Sequence, residues 1–171
     1  MLYWIAWTAF TALLLGFTLA RPHPYRFPRF LAFESILSLV FLNAGDWFFN
    51  PFSVRQLASW LLLLGSLALA VHGFSLLKTR GNPAGDFEDT SRLITSGAYR
   101  YIRHPLYSSL LLFSLGAFLK DPSLAGAGLA AATILGVAWT ARIEETHNLE
   151  RFGDPYRAYA QKTKRFIPFV Y

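Results

Sequence analysis

Long uncharged apolar runs dominate the first half of the chain and determine its predicted architecture. Leu2–Ala20 contains no charged residue over 19 positions, and Leu57–Leu77 has only His72 as an ionisable group over 21 positions. A helix of about 20 apolar residues is long enough to cross the hydrocarbon core of a bilayer. Both runs are therefore predicted to be membrane-spanning helices.

A third apolar run lies between these two and carries polar side chains. Phe30–Phe49 is 20 residues long and is interrupted by Glu34, Asn43 and Asp46. Polar groups in a membrane-spanning helix face protein or water because exposure to lipid is costly. We therefore predict a third span with an inward-facing polar side, on which Glu34 is a candidate for lining a substrate groove.

The pattern after residue 104 predicts a helical hairpin. Pro105–Leu119 is a short apolar run, Lys120–Ser123 is typical of a turn, and Leu124–Ala141 is an uncharged run rich in Ala and Gly. A hairpin of this kind brings the start of its first helix beside the end of its second. Side chains near residue 105 are therefore expected to face side chains just after residue 141.

A polar segment follows the hairpin. Two amphiphilic helices are expected there, at Glu144–Phe152 and Pro155–Lys164, with Asp154 as the N-cap of the second. The whole pattern predicts an all-α integral membrane protein with five transmembrane helices and a cytoplasmic C-terminal helical segment. Because neither a linker nor a repeat divides the 171 residues, we expect one domain, with residues 1–77 as a three-helix membrane part and 78–171 as the part that carries the polar motifs.

The distribution of basic residues orients the predicted spans. With five spans, fourteen of the sixteen Lys and Arg residues fall on one side of the membrane, and only Arg55 and Lys120 fall on the other. Loops rich in Lys and Arg remain in the cytoplasm. The N-terminus is therefore predicted to lie outside, and the 78–104 loop and the C-terminal segment are predicted to lie in the cytoplasm.

Composition supports the membrane interpretation and excludes several classes of chemistry. Hydrophobic residues make up 54% of the chain and charged residues only 15%, against roughly 25% charged residues in soluble domains. The net charge of +6 follows from topology, so we expect no nucleic-acid partner. The chain has no Cys, which excludes disulfides, thiolate metal ligands and a cysteine nucleophile, and the spacing of its histidines and carboxylates predicts no metal site.

Polar groups concentrate where the two hairpin helices meet the cytoplasm. Arg103, His104 and Tyr107 at the start of the hairpin are expected to share a pocket with Glu144 at its end. Glu144 and Glu145 lie near the C-terminal end of a helix, where the helix dipole disfavours negative charge unless cations or ligand donors offset it. The alternative interpretation is a basic flank followed by interfacial tyrosines and a helix-starting proline, with Glu144 paired to a neighbouring Arg.

The ordered motifs in this half of the chain resemble those of a known family. They extend from Leu93 to Pro168, roughly the last half of the sequence. The resemblance is to isoprenylcysteine carboxyl methyltransferases, and it extends to phospholipid N-methyltransferases. It is carried by Gly97-x-Tyr99, Arg103-His104-Pro105-x-Tyr107, the pair Glu144-Glu145, Phe152-Gly153-x-x-Tyr156, Tyr159 and Phe166-Ile167-Pro168.

The resemblance implies an integral membrane methyltransferase that binds S-adenosylmethionine from the cytosol, with residues 78–171 forming the cofactor-binding part. A hydrophobic or lipid-like acceptor would enter from the bilayer, and five helices can form such a site as a monomer. By position in the motifs, the residues implied in catalysis are Arg103, His104, Tyr107 and Glu144. The residues implied in cofactor binding are Arg92, Leu93, Ile94, Tyr99, His104, Pro105, Leu106, Tyr107 and Glu144.

One departure from the family bears on the acceptor. Prenylcysteine enzymes carry an Arg four residues before the first Glu, suited to the substrate carboxylate, and this chain has Thr140 there, with Arg142 nearby. Thr140, Arg142 and Glu34 are therefore the candidate substrate-binding residues, and amine, carboxylate, hydroxyl and thiol acceptors all stay open. The alternative functions are an NADPH-dependent sterol-type reductase, whose motif usually has Asn where this chain has Leu106, and a non-enzymatic membrane scaffold.

Overall fold

The described part of the chain is all-helical. The computed structural model describes residues 2–20, 23–82 and 90–170, and one isolated bridge between Ile102 and Lys164 is the only extended pairing among them. Two short 3-10 turns, His23–Tyr25 and Gly97–Arg100, accompany the α-helices. The α-helices are α1 (Leu2–Leu19), α2 (Arg26–Leu42), α3 (Val54–Arg80), α4 (Pro105–Phe118), α5 (Leu124–Phe152) and α6 (Asp154–Lys162).

Two of these helices are long and apolar enough to cross a membrane. They are α3, with 27 residues, and α5, with 29, whereas α1 and α4 are shorter apolar helices. The protein buries only 22% of the apolar window of α3 and 33% of that of α5, so most of their apolar side chains face outward. A surface of this kind is suited to lipid. The all-helical fold is confirmed, and the count of five spans remains a prediction.

Three predicted boundaries are wrong. The Phe30–Phe49 run is helical only to Leu42, because the sequence Asn43-Ala-Gly-Asp favours turns over a continued helix. Glu144–Phe152 is not a separate helix, since no Gly or Pro lies between the hairpin run and Gly153, whose φ of +59° ends α5. The N-cap of α6 is Gly153 rather than Asp154, which instead pairs with Arg157 one turn later.

The helices pack as two pairs that leave a gap on one side. α2 packs mainly against α5 and α3 mainly against α4, while α4 also contacts α5 and α1 packs on α2. α2 and α3 make little or no direct contact with each other. α2 and α3 therefore both contact α4, and the face of α4 between them is left uncovered.

Hydroxyl groups join α3 to α4 within the bundle. Ser59 donates to the carbonyl of Gly116 and Ser66 to that of Ser109, each at 2.7 Å. Gly116 allows this close approach, because a Cβ there would lie 2.9 Å from Cγ of Leu63. Small residues and interhelical hydrogen bonds hold helices together where lipid removes the hydrophobic driving force.

At the end of the bundle that contains the α4–α5 turn, side chains surround a buried lysine. Lys120 is fully buried and donates to Gln56 Oε1 at 2.9 Å, with its ammonium over the ring of Trp60. Burial lowers the pKa of Lys120. Arg55 pairs with Asp121 beside it at 3.2 Å. Arg55 and Lys120, the two basic residues predicted to lie outside, are therefore near each other, at the end of the bundle away from the other basic residues.

A glycine sets the distance between α2 and α5. A Cβ at Gly136 would lie 2.7 Å from the carbonyl oxygen of Pro28 and 2.8 Å from the amide nitrogen of Ala32. Both are backbone atoms, so α2 would have to move away from α5. Gly136 therefore permits the approach that brings the N-terminal end of α2 to the end of α5.

Replacing this glycine tests the packing. Gly136→Ala should lower the free energy of unfolding by about 1–3 kcal/mol, the usual cost of overpacking, as measured by thermal and denaturant unfolding in detergent. Gly128→Ala is the matched control, because Gly128 is on the same helix and a Cβ there would meet no neighbouring atom of the described residues within 4 Å. Equal stability of the two variants would contradict the close packing of α2 on α5.

Candidate functional site

The structure places a large cavity at the end of the bundle opposite the α4–α5 turn, between the start of α4 and the second half of α5. Its volume is about 910 Å³, and its wall comes from α2 to α6 and the segment before α4. Clefts that bind small molecules commonly measure about 300–1,000 Å³. One end is polar, with Glu144, His104 and Arg103, and the other is apolar, with side chains such as Phe33 and Phe74.

Glu144 projects from α5 into the polar end and is held from two other helices. Arg29 of α2 contacts Glu144 Oε1 through Nη2 at 3.1 Å, and the Tyr107 hydroxyl of α4 donates to the same oxygen. The second carboxylate oxygen faces His104 Nδ1 at 3.5 Å. Because α5 continues for about two turns past Glu144 to Phe152, the expected conflict with the helix end does not arise. The negative charge of Glu144 is instead compensated, in a mostly buried position, by a guanidinium, a hydroxyl and an imidazole.

Glu145 points to the other side of α5 and is bound by two arginines. Arg103 Nε donates to Oε1 at 2.8 Å, while Arg165 donates to Oε2 through Nε at 3.0 Å and Nη2 at 2.7 Å. His104 Nε2 lies 3.3 Å from Oε1. Adjacent positions on a helix point about 100° apart, so the two carboxylates have largely different partners, and His104 contacts both of them.

His104 is buried between the two carboxylates, and only 6% of the residue is exposed. Burial by itself lowers the pKa of a histidine, but hydrogen bonds and charge attraction from Glu144 and Glu145 outweigh it, so the pKa of His104 is raised above its usual value. In a neutral imidazole one ring nitrogen carries a lone pair instead of a hydrogen, and here that lone pair would face a carboxylate oxygen and be repelled by it. The surroundings of His104 therefore favour its protonated, imidazolium form.

The segment after α6 fixes the backbone around His104. The amide of Arg103 donates to the carbonyl of Lys164 at 2.7 Å, and that of His104 donates to the carbonyl of Arg165 at 3.1 Å. Ser108 donates to the carbonyl of Phe166 at 2.8 Å. This pairing brings Arg165 to Glu145, so the C-terminal segment is a structural part of the site.

Tyrosines form one wall of the cavity. Tyr159 donates to the carbonyl of Tyr99 at 2.7 Å, which ties α6 to the 3-10 turn before α4. The hydroxyl of Tyr156 is buried beside the Asn148 side chain and makes no well-formed hydrogen bond among residues 2–20, 23–82 and 90–170. Burial, with Glu145 nearby, raises the pKa of Tyr156 to about 12. A neutral donor therefore stays available at this wall.

The cavity brings together most of the predicted site residues. Arg103, His104, Tyr107 and Glu144, predicted to share a pocket, all line it, together with Leu93, Ile94, Tyr99 and Leu106. Pro105 lies buried in the first turn of α4, and Arg92 is exposed, both outside the lining.

The three predicted substrate-binding residues lie away from the cavity. Thr140 is 1% exposed and donates back to the carbonyl of Gly136. Arg142 is exposed on α5 outside the lining. Glu34 joins α1 to α2 by accepting from Thr11 at 3.0 Å and from Ser38 at 3.3 Å.

Sequence reasoning missed the contribution of α2 and its preceding turn. Arg29 contacts Glu144, and the Tyr25 hydroxyl hydrogen-bonds to His147 Nδ1. In the sequence, Arg29 stands out only as one of the basic flanking residues. The signal that the sequence offered was the glutamate just after an apolar run, which requires a cation nearby. The sequence does not show which Lys or Arg supplies that cation.

Comparison with known proteins agrees with the motifs. The family model for phospholipid methyltransferases matches residues 54–155, more than half of the chain. A probable protein-S-isoprenylcysteine O-methyltransferase from Oryza sativa subsp. indica is 36% identical over 88 residues, 49% of this chain and 44% of that protein. Methanethiol S-methyltransferase 1 from Bradyrhizobium diazoefficiens is 28% identical over 116 residues, 66% of this chain and 39% of that protein.

The chain belongs to the phospholipid methyltransferase family. The resemblance to isoprenylcysteine methyltransferases inferred from the ordered motifs is confirmed, since protein-S-isoprenylcysteine O-methyltransferase B from Arabidopsis thaliana also matches, at 37% identity over 87 residues, 48% of this chain and 43% of that protein. The matched segment spans less than half the length of these relatives. No solved structure matches the chain.

The charged state of His104 predicts a pH dependence of stability. Because its pKa is raised in the folded protein, the imidazolium stabilises the fold fully below the ordinary value of 6.5, and this contribution is lost as pH rises through the raised pKa. The thermal midpoint should therefore fall as pH increases above 6.5. His104→Gln should remove this component, whereas His72→Gln, at a histidine that accepts from the amide of Ala98, should retain it. An unchanged pH profile in His104→Gln would contradict the charged state.

Proposed function

We propose that the protein is an S-adenosylmethionine-dependent methyltransferase that acts on a hydrophobic acceptor at the membrane surface. One observation carries the proposal: the family's Tyr, His and Glu positions line the polar end of a cavity whose other end is apolar and faces the gap between α2 and α3. Such a cavity has room for a polar donor at one end and a hydrophobic acceptor at the other.

The polar end suits the chemistry of the donor. Glu144 offers carboxylate oxygens to an amine or to ribose hydroxyls, and Tyr99 and Tyr107 offer aromatic surface for an adenine ring. The buried Tyr156 hydroxyl has the Asn148 side chain beside it but makes no well-formed hydrogen bond among the described residues, so its O–H can donate to a polar ligand. These residues would hold the donor, which supplies an electrophilic methyl group on a sulfonium.

His104 acts by positioning Glu144 rather than by contacting the donor directly. Both of its ring nitrogens face glutamates, at 3.5 Å for Glu144 and 3.3 Å for Glu145. His104 therefore orients Glu144. Arg103 also acts by positioning, because its guanidinium is occupied by Glu145 and by the carbonyls of Ala160 and Thr163.

The apolar end suits a hydrophobic acceptor that arrives from the bilayer. Phe33 of α2 faces the cavity from one side, and Val71 and Phe74 of α3 face it from the other, with Leu106 and Leu110 of α4 behind. Val71 is 61% exposed and Phe74 45% exposed, so the cavity opens outward between α2 and α3. This opening is at the level of apolar helices, where lipid-soluble molecules are concentrated.

The chain's contribution to methyl transfer is positioning and exclusion of water. Direct displacement at a methyl carbon needs the nucleophile in line with the leaving sulfur in a site shielded from water. The apolar wall shields the acceptor, and the glutamate network fixes the donor end. The names of the relatives include an O-methyltransferase and an S-methyltransferase, so we propose an oxygen or sulfur atom on the acceptor as the nucleophile.

Titration with S-adenosylhomocysteine tests the donor assignment. Calorimetry on the purified protein in detergent should show saturable binding, and Glu144→Gln or His104→Ala should weaken it at least tenfold, which is about 1.4 kcal/mol. Glu150→Gln is the matched control, because Glu150 is exposed on the same helix and does not line the cavity; its affinity should equal that of the wild type.

NADPH is titrated in parallel. A sterol-type reductase would bind NADPH in preference, and a non-enzymatic scaffold would bind neither ligand. Binding of NADPH alone, or of neither, would therefore contradict the methyltransferase proposal. Unchanged affinity in both site variants would remove Glu144 and His104 from the donor site.

A further inference from the structure

Arg29 lies outside the residues matched by the family model, which begin at Val54, and yet its side chain lines the same cavity as the family motifs. Its side chain is 13% exposed, and its guanidinium contacts Glu144, whose side chain is 23% exposed. The contact joins residues 115 positions apart in the chain. A part of the molecule outside the family match therefore supplies a charged partner to a family residue.

Two features around α2, one on α5 and one in the turn before α2, hold Arg29 in this position. The absence of a side chain at Gly136 lets α2 lie close to α5. The Arg29 guanidinium lies 4.7 Å from the ring centroid of Tyr25, whose hydroxyl hydrogen-bonds to His147, one turn beyond Glu144 on α5. The end of α2 is thus attached to α5 at two successive turns, and Arg29 has little freedom to turn away.

The contacts of Glu144 define what Arg29 does. Arg29 and the Tyr107 hydroxyl both bind Oε1, whereas Oε2 faces His104. With one oxygen held from α2 and α4, the plane of the carboxylate is fixed relative to the cavity. A carboxylate in a mostly buried position also requires a compensating cation to stay ionised.

We infer that Arg29 is a positioning residue of the donor site, which keeps Glu144 ionised and oriented toward the bound donor. The inference rests on the proposed function. Residues before the family match, which begins at Val54, are then necessary for donor binding. The role of Arg29 also differs from that of the other arginines near the cavity. Arg103 binds the backbone and Glu145 instead.

A double-mutant cycle tests this role. S-adenosylhomocysteine affinity is measured by calorimetry for wild type, Arg29→Gln, Glu144→Gln and the double variant. Arg29→Gln should weaken binding about tenfold, or about 1.4 kcal/mol, in the wild-type background and less than about twofold in the Glu144→Gln background, because a residue that acts through Glu144 has no effect without it. Arg29→Lys retains the charge and should give an affinity between those of wild type and Arg29→Gln.

Arg26→Gln is the matched control, since Arg26 is on the same helix and outside the cavity lining, and it should bind as the wild type does. Thermal unfolding without ligand shows whether Arg29→Gln is folded, and Arg29→Lys replaces it in the cycle if it is not. Wild-type affinity in the Arg29 variant, or an equal loss in both backgrounds, would overturn the inference while leaving the proposed function intact. Failure of the wild type to bind would overturn the proposed function as well.

Discussion

Two adjacent carboxylates near the end of one helix are the constraint around which the site is organised. Glu144 and Glu145 place two negative charges side by side in mostly buried positions, which is costly unless cations accompany them. The chain offsets these charges with Arg29, Arg103 and Arg165 and with one imidazolium, His104, which contacts both carboxylates. Because these partners come from α2, from the segment before α4 and from the segment after α6, the carboxylates bring together three parts of the chain that are distant in sequence.

This organisation also explains how a small bundle forms a large cavity. α2 is held to α5 at the site, and α3 is held to α4 by hydroxyl contacts along its length. Neither interaction draws α2 toward α3, so the space between them stays open next to the glutamates. The polar network and the apolar opening therefore follow from the same packing, and the proposed binding of a polar donor beside a hydrophobic acceptor needs both of them.

Much of the architecture could be predicted from local sequence. Uncharged runs predicted α1 and α3 nearly to their observed ends, and the turn at residues 120–123 predicted the hairpin that brings Tyr107 to Glu144. The range of α5 was wrong because a polar stretch was read as a boundary, and that of α2 was wrong because the turn-forming residues 43–46 were read as helix. Arg29 could not be assigned, because hydrophobic periodicity identifies the faces of helices and does not say which helices meet. Thr140 was chosen by its position in a motif, but its side chain bonds to its own helix.

The central claim is that the cavity between the hairpin, α2 and the C-terminal segment holds the methyl donor. Ultraviolet photolabelling of the purified protein with methyl-labelled S-adenosylmethionine, followed by mass-spectrometric mapping of the labelled peptides, tests it most directly. Adducts are expected within residues 24–33, 93–110 or 144–159, which line the cavity, and they should be lost when excess S-adenosylhomocysteine is present. Adducts confined to other parts of the chain, or labelling that S-adenosylhomocysteine does not displace, would contradict it.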